Sequence, residues 1–136
     1  LKEKGVEMLM GREVSSATEK GIAKEDPIWS EAFLDYKILM DSVESEQEAI
    51  DRINTYGGGH SASVITRDES FAIQFMDQVD AAAVYHNAST RFTDGFQFGL
   101  GGELAISTDK LHQRGPIGLE HLVTNKWYVY GEGQIR

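Results

Sequence analysis

At 136 residues, with 40% hydrophobic and 26% charged side chains, 14 glycines and no cysteine, the chain fits one compact domain. A chain of this length buries roughly two-thirds of its unfolded surface, so a core forms without staples, and disorder, a collagen repeat and a disulfide scaffold are excluded. Thirteen basic against 22 acidic side chains leave a net charge of −9, which repels phosphate backbones and excludes nucleic acid as a partner.

The longest apolar runs, such as Met8 to Met10 and Ala81 to Tyr85, fall far short of the roughly 18 residues that would cross a bilayer, so no membrane partner is expected. Leu1-Lys2-Glu3-Lys4 carries neither an initiator methionine nor a signal-peptide stretch, as expected of a piece of something longer. The lack of cysteine fits a reducing compartment and excludes a thiol nucleophile or a thiolate metal site within the chain. An anionic small molecule stays open as a ligand, because salt screens the diffuse field beyond roughly 10 Å and a single Arg in a concave site outweighs it.

In chain order, Gly5 to Met10 and Phe33 to Met40 are expected strands, with residues 12–31 between them as loop containing one helical turn. Ser45-Glu46-Gln47-Glu48 matches a capping box, Ala49, Ile50 and Ile53 form one apolar stripe, and Gly57-Gly58-Gly59 supplies the stop, so a helix is predicted over 46–56. Ser61 to Thr66 is short, small and β-branched, the composition of a strand buried on both faces. A second box, Thr66-Arg67-Asp68-Glu69, precedes Phe71, Phe75 and Val79, which recur every four residues in a helix reaching Asp80. Ala81 to His86 is again strand-like. Helix and strand alternating over short connections predict an α/β fold, a parallel sheet covered on both faces.

From Asn87 to Gly118 periodicity fades, while Phe92, Phe96 and Phe98 argue that the stretch is ordered. A long irregular segment inside a compact domain is commonly functional. Lys126-Trp127-Tyr128-Val129-Tyr130 reads as a strong strand that pairs with another part of a larger protein or with another subunit.

Gly99-Leu100-Gly101-Gly102 follows no long apolar strand and lacks the Lys-Ser/Thr of a phosphate loop, so it reads as tight turns or close backbone passage. His60, His86, His112 and His121 show no metal-ligand spacing, and no metal is expected. No Gly-x-Ser-x-Gly elbow supports a serine hydrolase built on Ser89 or Ser107. Ser89-Thr90-Arg91 follows a predicted buried strand, where α/β folds place ligands outside the carboxyl ends of strands. An Arg there grips carboxylate or phosphate through parallel hydrogen bonds; the alternative is a structural Arg tied to backbone carbonyls or to Asp94.

Asn87-Ala88-Ser89-Thr90-Arg91-Phe92-Thr93-Asp94-Gly95-Phe96, Phe98-Gly99-Leu100-Gly101, Ile106-Ser107-Thr108 and His112 to Leu119 resemble the gamma-glutamyl phosphate reductases, also called glutamate-5-semialdehyde dehydrogenases. Ile53 to Ser61 and Phe33-Leu34-Asp35-Tyr36 extend the resemblance, in the same order, over nearly the whole chain. The bifunctional proline-pathway synthases of plants and animals carry a similar region. The resemblance implies the aldehyde dehydrogenase fold, a three-layer parallel-sheet catalytic domain, and a cytoplasmic enzyme of proline biosynthesis. That enzyme reduces L-glutamate 5-phosphate to the semialdehyde with NADPH and releases phosphate. A cysteine thiolate attacks the acyl phosphate there, and hydride from the nicotinamide reduces the resulting thioester.

This chain has no cysteine, so the resemblance implies the carboxyl-terminal third, downstream of the nucleophile, with NADP bound mainly by absent parts. Residues 1–109 then belong to the catalytic domain, 110–121 cross toward the cofactor domain, and 122–136 form an oligomerisation tail that makes a homo-oligomer. The Asn87 to Gly101 loop corresponds to a substrate-anchoring segment, and it implies Asn87, Ser89, Thr90, Arg91 and Phe98 as substrate-binding residues. Ala32 stands where the family commonly has Glu, with Glu31 one place earlier, and Gln113 and Gly102 each replace a usual Ala. A non-catalytic binding or assembly module on the same scaffold is the alternative from a different class.

Overall fold

The structure is a computed structural model describing residues 1–15 and 21–136. Its regular elements are β1 (Glu7–Met10), β2 (Lys37–Met40), α1 (Glu46–Tyr56), β3 (Ser61–Val64), α2 (Glu69–Gln78), β4 (Ala83–His86), β5 (Ala105–Ser107) and β6 (Gly115–Ile117). β1 pairs with β2 in parallel, β3 with β4 in parallel, and β5 with β6 antiparallel, each as a two-stranded sheet. The fold is α/β as expected, but the described residues form separate pairs instead of one parallel sheet covered on both faces. Among its described residues the expected loop over 12–31 contains a 3-10 turn, Pro27–Ser30, capped by Asp26, whose carboxylate accepts from the Ile28 N–H. Residues 16–20 of that loop lie outside the described residues.

Helix α1 has its predicted bounds. Ser45 Oγ accepts from the Glu48 N–H at 3.1 Å, satisfying one of the orphan donors of the first turn. The Glu48 carboxylate accepts from the Glu44 N–H and from Lys24 Nζ, both at 2.9 Å. Lys24 first, and then that N–H, hold the Glu48 carboxyl below its usual range. At the other end the Gly57 N–H donates to Ile53 O at 2.8 Å, and Gly58 and Gly59 turn the chain with φ of +66° and +71°.

Helix α2 begins later than its sequence suggests. Asp68, not Thr66, is the cap: its Oδ1 accepts from the Ser70 and Phe71 N–H groups at 2.9 and 3.1 Å. Thr66 Oγ1 instead accepts from the Asp68 N–H, fixing the turn one step upstream. The core lies between the helices and the β3·β4 pair: Ile50, Ala62, Phe75 and Val79 are buried, with Ile53, Val64, Phe71 and Val84 packed on them. Burying a side chain such as Ile50 contributes about 1.5–3 kcal/mol.

Asn54 joins the helices, its amide donating to Gln78 O at 2.9 Å and its Oδ1 accepting from the Asp80 N–H at 2.8 Å. Asp80 in turn receives Lys110 Nζ at 2.6 Å and an Arg114 guanidinium nitrogen at 2.7 Å, which docks the β5·β6 pair beside the start of β4. β5 and β6 lie inside the stretch from Asn87 to Gly118 that shows little periodicity in sequence. The expected strand at Lys126 to Tyr130 is not formed. A strand requires a neighbour's backbone groups, and this segment has none among the described residues: Trp127 is 84% exposed and Tyr130 89%.

Candidate functional site

After β4 the chain turns at Asn87, which takes the left-handed conformation with φ of +53°. Asn tolerates that conformation better than most residues. Its amide nitrogen donates to Thr66 O at 2.9 Å and its Oδ1 accepts from the Thr66 N–H at 3.0 Å, so the side chain mimics a strand partner. The loop then doubles back along β3. Ser63 Oγ donates to Ala88 O at 2.6 Å, and further on Ser61 Oγ and Thr93 Oγ1 hydrogen-bond at 2.8 Å.

This return path carries Arg91 away from the carboxyl ends of the strands, where the sequence pattern puts it, to the amino end of β3. There a polar cavity of about 440 Å3 is lined by His60, Ser61, Thr90, Arg91, Thr93, Asp94, Glu103 and Ile106. The loop is held from within. Ser89 Oγ caps the Thr90–Phe92 turn by accepting from the Arg91 N–H at 3.2 Å. Asp94 Oδ1 accepts from the Phe96 and Gln97 N–H groups at 2.8 and 3.2 Å. Glu103 Oε2 accepts from the Gly95 N–H at 2.9 Å. A side chain at Gly95 would collide with Gly102 O, so glycine is needed there for the backbones to pass.

The backbone thus engages both cavity carboxylates, whereas the Arg91 guanidinium makes no hydrogen bond or ion pair among the described residues. The structural alternative, an Arg tied to Asp94, is not what the geometry shows. Of the expected site residues, Thr90 and Arg91 line the cavity. Ser89 positions Arg91 through the backbone, Asn87 anchors the base of the loop, and Phe98 lies outside the lining, half exposed on the following turn. His60, Ser61, Thr93, Asp94, Glu103 and Ile106 join the cavity without having been singled out as binding residues in the sequence.

A second cavity, of about 340 Å3, is lined mainly by apolar groups of Trp29, Val43, Ala49, Ile53 and Tyr56. Its charged members, Asp41 and Arg52, face each other at 3.6 Å, and the Arg52 guanidinium carbon sits 4.6 Å from the Trp29 ring centroid. No group of three or more His, Asp or Glu among the described residues is arranged to hold a metal ion. No helix among them is long and apolar enough to cross a membrane.

A profile of the aldehyde dehydrogenase family matches residues 17–127. The chain belongs to that family. It is 52% identical to the gamma-glutamyl phosphate reductase of Lachnospira eligens over 136 residues, covering 100% of this chain and 33% of the relative. The corresponding protein of Halothermothrix orenii is 52% identical over 99% of this chain and 32% of its own length. The crystal structure of gamma-glutamyl phosphate reductase from Thermotoga maritima superposes with a TM-score of 0.86 at 42% identity, over 99% of this chain and 33% of that one. The chain therefore spans about a third of the length of the relatives it matches.

Aldehyde dehydrogenases imply a nicotinamide cofactor, and the described residues do not fit one. A dinucleotide site needs a strand, a glycine loop and a helix whose amino end faces the diphosphate. Here Gly57–Gly59 leads from a helix into β3, and Gly99–Gly102 leads toward β5.

Proposed function

We propose that these residues are the substrate-side portion of an NADPH-dependent reductase that converts L-glutamate 5-phosphate to L-glutamate 5-semialdehyde and releases phosphate, a cytoplasmic step of proline biosynthesis. The observation that carries this reading is Arg91, an unpaired guanidinium on a polar cavity in a segment half identical to gamma-glutamyl phosphate reductases. The substrate bears a carboxylate and an acyl phosphate, and the planar fork of Arg suits either. In a chain of charge −9 the attraction must be local.

The chain holds no cysteine, so the thiolate that accepts the acyl group belongs to another part of the protein, as does the NADP site. Residues 1–109 form part of the catalytic domain in this reading, residues 110–121 cross toward the cofactor domain, and 122–136 gain their strand partner in a homo-oligomer. Thr90 and Arg91 contact the anionic substrate directly. Asn87 and Ser89 fix the loop that presents them, and Phe98 supplies an apolar wall once the missing parts close over it.

The test is Arg91→Ala in the full-length reductase containing these residues. A charge-assisted hydrogen bond is worth about 1.5–3 kcal/mol, so kcat/KM for the acyl phosphate falls roughly ten- to a hundred-fold with the melting temperature unchanged. Arg91→Lys recovers only part, because an ammonium lacks the fork. Near-normal kinetics in Arg91→Ala, or a loss of activity that follows a lowered melting temperature, would overturn the assignment.

A further inference from the structure

A chain of hydroxyls runs from the core into the cavity beside Arg91. Tyr85 OH lies 2.8 Å from Thr93 Oγ1, Thr93 Oγ1 lies 2.8 Å from Ser61 Oγ, and Ser61 Oγ lies 2.7 Å from His60 Nδ1. Thr93, in the middle of this chain, is buried at 8% exposure. Each hydroxyl has one proton to give, so the chain has a direction. The distances allow two directions; in the one that starts from the phenol, the most acidic of the three, Tyr85 donates to Thr93, Thr93 to Ser61, and Ser61 to His60 Nδ1. That order makes Nδ1 an acceptor and leaves the ring proton on Nε2. Nε2 of His60 has no partner among the described residues, and the ring lines the same cavity as Arg91.

We propose that His60 is a second anion-binding residue of the site, donating its Nε2–H to the oxyanion that Arg91 grips, and that Tyr85, Thr93 and Ser61 are positioning residues that fix its tautomer. This rests on the reading of the cavity as the anion site. The arrangement gives a ligand oxygen a directed donor beside the guanidinium. It also gives a reason for burying Thr93, whose oxygen serves both as acceptor for Tyr85 and as donor to Ser61. The ligand chemistry is an oxyanion, carboxylate or phosphate.

The test uses the full-length reductase in the reverse direction, in which semialdehyde and inorganic phosphate are converted with NADP. His60→Ala is expected to raise KM for phosphate, or the inhibition constant for L-glutamate, roughly ten- to a hundred-fold, with KM for NADP unchanged. A rise for phosphate assigns His60 to the phosphoryl end, and a rise for glutamate to the carboxylate end. His60→Gln, which keeps an amide N–H near the Nε2 position, recovers most of the loss. Tyr85→Phe releases the tautomer and gives a smaller rise, about two- to ten-fold, without touching the ligand. If His60→Ala changes neither constant, or if Gln is no better than Ala, the proposal fails. When Arg91→Ala raises the same constants and His60→Ala does not, only this proposal falls. When neither variant moves them, the anion-site reading falls as well.

Discussion

Replacing Arg52 by Ala should destabilise the chain far more than the loss of a surface charge would. The Asp41 side chain is 5% exposed and that of Arg52 16%, and they face each other at 3.6 Å. Both Asp41 carboxylate oxygens and one Arg52 nitrogen are buried without a hydrogen bond. Arg52 is also stacked between Trp29 and Tyr56, 4.6 and 5.7 Å from their ring centroids. Removing one member of a buried pair strands the other, at a cost of about 3–5 kcal/mol. The long contact and the missing hydrogen bonds place Arg52→Ala near the lower end of that range. Asp41→Asn should cost less, about 1–2 kcal/mol, because Arg52 keeps its aromatic partners and reaches water with part of its head.

The assay is urea denaturation followed by Trp29 fluorescence in a Trp127→Phe background, comparing midpoints at constant m-value. Pairing Arg52→Met with Asp41→Leu should restore most of the stability, since apolar residues of similar volume replace a buried pair at little cost. If Arg52→Ala costs under about 1 kcal/mol, or no more than Asp41→Asn, the burial argument is wrong. Because Arg52 sits on α1, whose carboxyl end leads through Gly57–Gly59 to His60, the same variant should also loosen the amino end of the cavity.

The aromatic tail should make the chain self-associate, since Trp127, Tyr128, Val129 and Tyr130 are all exposed and form a contiguous apolar segment with unpaired backbone groups. Sizing chromatography that returns a clean monomer at high concentration would contradict this, and deleting residues 123–136 should remove the association. Acid should weaken the attachment of β5·β6. Lys110 first, and then Arg114, hold the Asp80 carboxyl below the usual carboxylate range in the folded state. A depressed folded value means that its stabilisation is fully present above the unfolded carboxylate pKa and is lost as pH falls through the folded one. Asp80→Asn should therefore lower the melting temperature near neutral pH and flatten its acid dependence; parallel curves for both proteins would refute the linkage. Screening by salt should shrink the difference, as both partners are partly exposed.

Local signals in the sequence located the elements that local chemistry specifies. Ser45 and the glycines after Tyr56 bound α1 at both ends because a cap and a left-handed turn are properties of a few adjacent residues. α2 started later than the box at Thr66 implied because Asp68, two residues on, takes the role of cap. The carboxylate of Asp68 reaches two N–H groups, whereas the hydroxyl of Thr66 is spent on Asp68 itself. β5 and β6 escaped notice because each is only three residues long, too short for alternation to show, and β6 opens on Gly115 and Pro116. The tail failed as a strand for the opposite reason: its composition is strand-like, but no strand edge among the described residues pairs with it.

The site follows the same division. Arg91 was singled out by residue type, but its place after β4 pointed to the wrong end of the strands, since it lies beside His60 and Ser61 at the amino end of β3. His60 was legible only as part of the turn that ends α1, and Thr93 and Glu103 carried no pattern of their own. They meet Arg91 because the loop runs back along β3, a path set by contacts such as Ser61 to Thr93, 32 positions apart in sequence.

A coupled assay tests most directly the proposal that the segment serves a reductase whose nucleophile lies elsewhere. With L-glutamate 5-phosphate and NADPH, the full-length protein containing these residues should oxidise one NADPH for each phosphate released. The 136-residue chain alone should oxidise none, since it has no thiolate to accept the acyl group. Turnover by the isolated chain, or a full-length protein that leaves the acyl phosphate and NADPH untouched, would contradict it.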